Sequence, residues 1–209
     1  MSSSELSAIA KRWDLLTHGF YQRWVAGELS LSELQDYSCQ YHQVVKAIPG
    51  WMRQAADADI ENRSALAAHA AEEESHVELW ADFAISLGVS ADKLTSTLPN
   101  PSTAGLLEAG DRLTARGDGA AVVWALEVQT PAVSKAKLDG LREHYGIDAG
   151  SGGRYFELHE TLDIDHADEL GRVIESNPKL ADRSAAAAET MLSGLWDVLT
   201  SVEAKPVPA

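Results

Sequence analysis

The chain of 209 residues is 45% hydrophobic, contains six tryptophans and carries a net charge of −15 at pH 7. This length and apolar content fit one globular domain over residues 1–209 and exclude a disordered chain. The negative charge repels phosphate backbones and anionic lipids, so nucleic acid and membrane surfaces are poor partners.

Helical periodicity runs through the sequence and strand alternation is absent, so we predict an all-α bundle of about seven helices. The first helix is expected over about 5–26. A capping box, Ser30-Leu-Ser-Glu33, opens the second helix, which is expected to bend or break at Pro49-Gly50 because proline removes a backbone hydrogen bond. The third helix is expected over about 62–87, closed by Gly88.

The second half of the chain continues this pattern. A loop is predicted over 90–102, and a short helix follows to about Ala115. The next helix, about 120–145, contains Pro131 and is expected to be kinked there. A flexible turn at 146–153 precedes a long helix over about 154–176, and an alanine-rich helix covers about 180–201. Residues 203–209 are expected to form a frayed tail.

The segment His159-Glu-Thr-Leu-Asp163-Ile-Asp-His166 is the most informative part of the sequence. It places an imidazole, a carboxylate and a second imidazole at i, i+4 and i+7, which is one stripe of a single helix. Three metal-binding groups on one face favour a metal site, although a solvated polar face in an acidic protein would have the same spacing.

Two other predicted helices carry residues of the same kind. His76 follows His69 by two turns, and Glu72 and Glu73 lie about one turn before His76. The Glu73-x-x-His76 pair has the i, i+3 spacing of carboxylate-bridged iron proteins. Glu127 is a lone carboxylate in an apolar stretch and must be paired, protonated or metal-bound. A salt bridge at Glu127 and hydrogen-bonded core or surface histidines are the structural alternatives. Imidazoles and carboxylates without thiolate suit iron or manganese, and less selectively zinc.

These spacings resemble the heme-oxygenase-like di-metal oxidases, in particular their 4-aminobenzoate synthase branch. The family pattern is matched by Glu127, by His159-x3-Asp163-x2-His166 and by His76-Val-Glu-Leu-Trp80. The resemblance implies a seven-helix heme-oxygenase-like bundle that binds two iron ions, or iron with manganese, and uses dioxygen and a reductant as co-substrates. The implied metal ligands are His69, His76, Glu127, His159, Asp163 and His166.

One position departs from the family pattern. The family has a glutamate seven residues before the third-helix histidine, and this chain has His69 there. Either His69 binds metal, or Glu72 or Glu73 replaces the missing glutamate, or the site has one weaker metal position. A neutral imidazole in place of a carboxylate would also make the site less negative.

The same branch assigns roles to three further residues. Its two tyrosines sixteen residues apart correspond to Tyr21 and Tyr37, and its lysine ten residues after the glutamate ligand corresponds to Lys137. The resemblance implies that Tyr21 supplies the aromatic ring of 4-aminobenzoate, a folate precursor. It implies Tyr37 as a redox or positioning partner and Lys137 as the nitrogen source. Tyrosines in helix cores and lysines on helix surfaces are also ordinary features.

Three other functions stay open at this point. The same metal site could act on a free amino acid or a fatty acid, as an oxidative lyase, decarboxylase or N-oxygenase. A thiaminase-like reaction needs a cysteine nucleophile on a later helix, whereas the only cysteine, Cys39, lies on the second helix. A metal-free helical binding module would need no site at all.

The expected location is the cytoplasm. No apolar run approaches the ~18 residues of a membrane span, and the N-terminal residues lack the basic and apolar regions of a signal peptide. The single cysteine allows no intrachain disulfide. We expect a small-molecule or self-derived substrate, and a homodimer because this is the commonest assembly.

Overall fold

A computed structural model describes residues 3–176 and 181–203, which form an all-α fold without strands, as predicted. Those residues contain eleven α-helices: α1 Ser3–Arg12, α2 Gly19–Val25, α3 Leu31–Ala58, α4 Arg63–Ser86, α5 Ala91–Ser96, α6 Pro101–Ala115, α7 Gly119–Glu127, α8 Thr130–Gly140, α9 Arg154–His159, α10 Leu162–Ser176 and α11 Ala181–Val202. Short 3-10 helices cover Leu15–Thr17 and Ala149–Ser151, and a π-helical turn covers Leu141–Tyr145.

The segment predicted as one first helix is divided into three pieces. Asp14 and His18 both have extended backbone, and each side chain accepts a hydrogen bond from the N–H two residues later, of Leu16 and Phe20. Side chains that satisfy backbone N–H groups in this way begin new helices and end the preceding ones. The prediction of a single helix over 5–26 was therefore wrong.

The second helix, which was expected to bend or break at Pro49-Gly50, does not break there. The Ser30–Glu33 capping box opens α3 as expected, but the helix continues through Pro49 to Ala58. Pro49 is itself buried, and the following turn buries the large side chains of Trp51 and Met52. Packing of these side chains on the core offsets the missing backbone hydrogen bond.

The predicted third helix is confirmed as α4. The chain leaves it through Gly88, whose φ of 84° is a left-handed conformation that favours glycine. The loop prediction over 90–102 holds only in part, because Ser90 caps the short helix α5 by accepting a hydrogen bond from the Lys93 N–H.

Both helices that carry the central motifs are interrupted. The helix predicted over 120–145 is divided into α7 and α8. Pro131 lies in the first turn of α8, where a backbone N–H would have no partner within the helix, so the proline costs no helical hydrogen bond. The helix predicted over 154–176 is divided into α9 and α10, with Glu160 and Thr161 between them. The predicted helix end at Asn177-Pro178 lies outside the described residues, as does the predicted tail apart from Glu203.

Helix α7 lies in the middle of the bundle and packs against α3, α6, α10 and α11. Every residue from Ala121 to Glu127 is buried, which matches the uniform apolar character of this stretch. Glu127 therefore ends a helix that has no solvent-facing side. In the described part of the chain, no helix has both the length and the apolar character that crossing a bilayer requires.

Candidate metal centre and aromatic cluster

Four helices bring seven imidazole and carboxylate side chains together, which we call the His/carboxylate cluster. Each of them is at most 7% exposed. They are His69, Glu73 and His76 from α4, Glu127 from α7, His159 from α9, and Asp163 and His166 from α10. All six metal ligands implied by the sequence are among them, and Glu73 joins them.

The ligand atoms of this cluster form two groups, within each of which they lie no more than 4.8 Å apart. The groups are His69 with Glu73, Glu127 and His166, and Glu73 with His76 and His159. Glu73 belongs to both groups, so its carboxylate lies between two potential ion positions. Asp163 belongs to neither group by this distance, but its Oδ1 is 3.8 Å from His166 Nδ1.

Of the two glutamates considered as replacements for the family's glutamate, Glu73 is inside the cluster and Glu72 is outside. The Glu73 side chain is 3% exposed, whereas that of Glu72 is 52% exposed. Glu72 Oε2 still accepts a hydrogen bond of 3.2 Å from His166 Nε2. Glu73 is therefore the candidate ligand, and Glu72 contacts the cluster from the solvent side.

The sequence contains a signal for Glu73 that our reading of the motifs missed. His69-x3-Glu73-x2-His76 has the same spacing as His159-x3-Asp163-x2-His166. The two motifs lie antiparallel to each other, so that the first histidine of each motif contacts the last histidine of the other. His69 lies 3.7 Å from His166 and His76 lies 4.6 Å from His159, measured between ring centroids. The two ion positions thus draw imidazoles from both motifs.

Several polar atoms of the cluster lack a hydrogen-bond partner. Among the described residues, eight buried side-chain N or O atoms have none, and five of these belong to the cluster: His69 Nδ1, Glu127 Oε2, His159 Nε2, Asp163 Oδ1 and His166 Nδ1. An unsatisfied buried polar atom costs about 1–3 kcal/mol. Their concentration in one place indicates a bonding partner shared by imidazole and carboxylate, and a metal ion such as iron fits that donor set.

His159 is oriented by the helix that carries it. Its Nδ1–H donates a hydrogen bond of 2.6 Å to the Tyr155 carbonyl, one turn earlier. The ring stacks on the Tyr155 ring, with centroids 3.9 Å apart and planes 20° apart. This leaves Nε2 with its lone pair and without a partner, the tautomer that metal-binding histidines have when the other nitrogen is hydrogen-bonded.

Burial shifts the protonation of the cluster towards uncharged forms. Desolvation raises the pKa of Asp163 to about 10 and that of Glu127 well above its usual range, and it lowers the pKa of His159 to about 4. At Glu73 burial also raises the pKa, but the 2.8 Å hydrogen bond from His76 and the surrounding imidazoles outweigh it, so the pKa is lowered. Bound cations would return the other carboxylates to their ionised form.

Beside the metal candidates lies an aromatic cluster that surrounds Lys137. Its six ring centroids are 5.0–5.9 Å from Lys137 Nζ and belong to Tyr21, Trp24, Tyr37, Tyr41, Trp80 and Phe156. Lys137 Nζ donates a 2.6 Å hydrogen bond to the Tyr37 hydroxyl, which is 3.2 Å from the Tyr21 hydroxyl. The structure thus joins Tyr21, Tyr37 and Lys137 through their polar ends.

Lys137 is not a surface lysine. It is 4% exposed, and burial without a carboxylate partner lowers its pKa to about 7. A substantial fraction of this amine is therefore neutral near pH 7 and carries a lone pair. Burial raises the pKa of the Tyr21 and Tyr37 phenols, so both stay protonated.

Tyr155 connects the two clusters, and sequence reasoning missed it. Its ring stacks on His159, and the edge of Trp80 meets it at 4.9 Å between centroids. Trp80 in turn lies 4.9 Å from Tyr41. The available signal was the spacing Tyr155-x3-His159, which places the ring one turn before a ligand on the same helix face.

A cavity of about 20 Å³ adjoins the aromatic cluster, and Tyr155, which stacks on His159, is part of its wall. Tyr21, Tyr41 and Lys137 also line it, as do Leu126 and Thr130, which lie on either side of the Glu127 ligand candidate in the chain. A buried water needs about 10–15 Å³ in this measure. The cavity therefore holds about one molecule of that size.

Cys39 takes no part in either cluster. It packs with Ala84, Val89 and Leu94 in a small separate group of buried apolar residues. This position fits its interpretation as a small apolar side chain and gives no support to a thiaminase-like nucleophile.

Comparison with known proteins adds to this description. Residues 34–201 match the sequence family described as an iron-containing redox enzyme. The chain is 31% identical to a 4-aminobenzoate synthase of Chlamydia muridarum over 210 aligned positions, which cover 94% of this chain and 88% of that protein.

Two solved structures are similar in fold. A domain of unknown function with a heme oxygenase-like fold from Shewanella denitrificans has a TM-score of 0.83 at 17% identity, covering 97% of this chain and 92% of that one. A TenA homolog from Pseudomonas syringae pv. tomato has a TM-score of 0.80 at 15% identity, covering 95% and 89%. At these identities the comparison concerns the fold alone, and it confirms the predicted heme-oxygenase-like bundle.

Proposed function

The chain belongs to the family of iron-containing redox enzymes, and from this premise we propose that it makes 4-aminobenzoate from its own Tyr21 and Lys137. It is an oxidoreductase, and relatives at about 30% identity are named 4-aminobenzoate synthase. The observation that carries the proposal is the buried chain of contacts from Lys137 through the Tyr37 hydroxyl to the Tyr21 hydroxyl.

The seven residues of the His/carboxylate cluster would hold two iron ions, or iron with manganese, with Glu73 between them. The bound metal would supply the redox chemistry, with dioxygen and a reductant as co-substrates. The protein fixes the ligands before any ion binds, since the Tyr155 carbonyl sets the His159 tautomer. His69 in place of a glutamate leaves three carboxylates in the cluster, Glu73, Glu127 and Asp163, to balance two divalent cations.

The aromatic cluster holds the reacting side chains in a dry environment. Tyr21 is 3% exposed and Tyr37 is fully buried, so bulk water does not compete for the ring. Lys137 Nζ lies 5.2 Å from the Tyr21 ring centroid, and its neutral form can act as a nucleophile. Tyr37 holds this amine by accepting its hydrogen bond, which makes Tyr37 a positioning residue in our proposal.

The size of the cavity favours a self-derived substrate over a free one. A free amino acid or a fatty acid has several times the volume of one water, and the cavity of about 20 Å³ has room for about one water-sized molecule. A substrate that is already part of the chain needs no such space. This observation supports the proposed reaction over an oxidative lyase, decarboxylase or N-oxygenase acting at the same metals.

The test uses iron-loaded protein with reductant and dioxygen but no added organic substrate. Protein containing ring-¹³C tyrosine and ε-¹⁵N lysine is expected to release 4-aminobenzoate that carries both labels. Peptide mass spectrometry is expected to find the corresponding losses at Tyr21 and Lys137. Tyr21→Phe is expected to abolish the product.

Tyr145→Phe is the matched control, because Tyr145 lies outside both clusters and donates its hydroxyl hydrogen bond to the Leu29 carbonyl. It is expected to form product at the normal rate. Unlabelled product, or product that appears only when a free amino acid is added, would contradict the proposal.

A further inference from the structure

We propose that the cavity beside Tyr155 is a binding site for dioxygen, from which the gas reaches the His/carboxylate cluster. This inference rests on the proposed function in one respect, namely that dioxygen is the co-substrate. It adds a site for that molecule, made of residues that are not metal ligands.

Five of the eleven residues that line the cavity are aliphatic. They are Leu15 from the turn before α2, Leu126 from α7, Val133 from α8, and Leu195 and Leu199 from α11. Dioxygen is small, uncharged and apolar, so it leaves water for such a surface, and dry apolar cavities in proteins bind gases. The volume of about 20 Å³ has room for about one small molecule.

Two of the polar groups that line the cavity already have hydrogen-bond partners within the protein. A buried water needs two to four polar partners, and the Thr130 hydroxyl already donates to the Leu126 carbonyl at 2.7 Å. The Lys137 amine already donates to Tyr37. The other lining residues with polar groups are Ser134, Tyr21, Tyr41 and Tyr155.

The position of the cavity suits delivery to the metals and the tyrosine together. One side chain, Tyr155, separates it from His159, on which that ring stacks. The cavity also touches Tyr21 and Lys137. A molecule bound there is therefore adjacent to the ligand shell and to the groups that the proposed reaction consumes.

The inference is tested by filling the cavity with one methyl group. Val133→Ile adds that group at the cavity wall, and Val122→Ile adds the same group at a fully buried position on α7 that does not line the cavity. Crystals of zinc-loaded protein, which cannot reduce dioxygen, are pressurised with krypton as an apolar probe. An anomalous peak is expected near Leu195 and Leu199 in the parent and in Val122→Ile, and none is expected in Val133→Ile.

The second measurement is dioxygen consumption by the iron(II)-loaded protein. At limiting dioxygen, Val133→Ile is expected to be slower by about tenfold, the effect of one methylene in a filled apolar pocket, with the difference shrinking at high dioxygen. Val122→Ile is expected to match the parent. Thermal melting of both variants serves as the folding control.

Two outcomes would overturn the inference. One is a water, bound to Ser134 and Lys137 in the unpressurised crystal, that krypton does not displace. The other is a Val133→Ile protein that consumes dioxygen like the parent. Failure of the proposed function looks different, because absence of 4-aminobenzoate would leave the krypton peak and the dioxygen dependence intact.

Discussion

Glu73 is our proposed replacement for the glutamate that the family pattern has at position 69. On α4 it lies one turn after His69 and one turn before His76, and it is the member shared by both groups of ligand atoms. Its lowered pKa keeps it ionised without a metal, unlike Glu127 and Asp163. A carboxylate that is already charged and central is the first residue expected to attract a cation.

Replacing Glu73 by Gln is expected to remove most of the bound iron. Glutamine keeps the shape of the side chain but removes the negative charge between the two ion positions. We expect the affinity for iron to fall by about 10–100-fold or more. Glu74→Gln is the control on the same helix, because the Glu74 side chain is exposed and pairs with Arg53. Elemental analysis after dialysis measures both, and equal iron in the two variants would argue against Glu73 as a ligand.

Lys137→Met is expected to change how stability depends on pH. The folded pKa of about 7 lies below the ordinary value of 10.5, so between these values the unfolded chain binds a proton that the folded chain lacks. The contribution of Lys137 to the free energy of unfolding therefore rises with pH between pH 7 and 10.5, by about 1.4 kcal/mol per pH unit. The destabilisation caused by burying this amine is largest at or below pH 7. The stability gained by Lys137→Met is expected to be largest near pH 7 and to vanish near pH 10.

Denaturant unfolding of zinc-loaded protein at several pH values measures this difference. Lys135→Met is the control, since Lys135 is exposed, pairs with Asp139 and has a raised pKa, so it stays protonated through the same window. A constant difference between Lys137→Met and the parent from pH 7 to pH 10 would mean that the amine is charged in the folded protein.

At the scale of elements, the contact between α2 and α8 decides whether Tyr21 and Lys137 meet. Trp24 Nε1 donates a 3.1 Å hydrogen bond to the Lys137 carbonyl, and Gly140, one turn later on α8, leaves room for the Trp24 ring. A Cβ at Gly140 would lie 2.9 Å from Trp24 Cδ1 and 3.1 Å from the Trp24 carbonyl oxygen. The absence of a side chain at Gly140 therefore sets the separation of the two helices.

Gly140→Ala is expected to destabilise the protein by about 1–3 kcal/mol, because overpacking forces the helices apart. Product formation should fall further than iron content, since α2 carries Tyr21 but no metal ligand. Gly105→Ala is the control: Gly105 lies in the interior of α6 with nothing within 4 Å of the added Cβ, and alanine there is expected to stabilise by about 0.5–1 kcal/mol. Thermal melting measures the loss of stability, and iron analysis shows whether the metal site stays intact. A Gly140→Ala protein with unchanged product yield would show that this helix contact does not control the positions of Tyr21 and Lys137.

Across the whole molecule, the His/carboxylate cluster is a local source of instability that a bound metal is expected to remove. Its members come from α4, α7, α9 and α10, and five of their polar atoms are buried without partners. Ion binding to the folded state alone raises stability by mass action. The bundle is therefore expected to depend on metal for part of its stability.

Anaerobic addition of Fe(II) is expected to raise the melting temperature. At free metal about 100 times the dissociation constant, one site contributes about 2.7 kcal/mol, or about 5–10 °C for a chain of this length. The rise is expected to disappear in Glu127→Ala and in His159→Ala. Protein that holds no metal after dialysis and melts at the same temperature with Fe(II) would instead favour a metal-free helical module.

The amino-acid sequence was enough to predict the helical class, the glycine stop at Gly88 after α4 and the candidate ligands of a metal site. It was enough because helix periodicity, glycine stops and ligand chemistry are local properties of neighbouring residues. The same locality explains two missed features. The residues around His18 do not indicate that its side chain caps α2. The interruption between His159 and Leu162 contains no glycine or proline that would mark it.

Which of these residues come into contact depends on how the helices pack. Glu73 rather than Glu72 enters the cluster because it lies on the face of α4 that packs towards α9. Lys137 is buried because Trp24 of α2 and Tyr37 of α3 contact it. Distances between segments more than fifty residues apart depend on how whole helices pack, and no short stretch of sequence contains that information. The pKa of Lys137 follows from the same packing, since burial and not residue type lowers it.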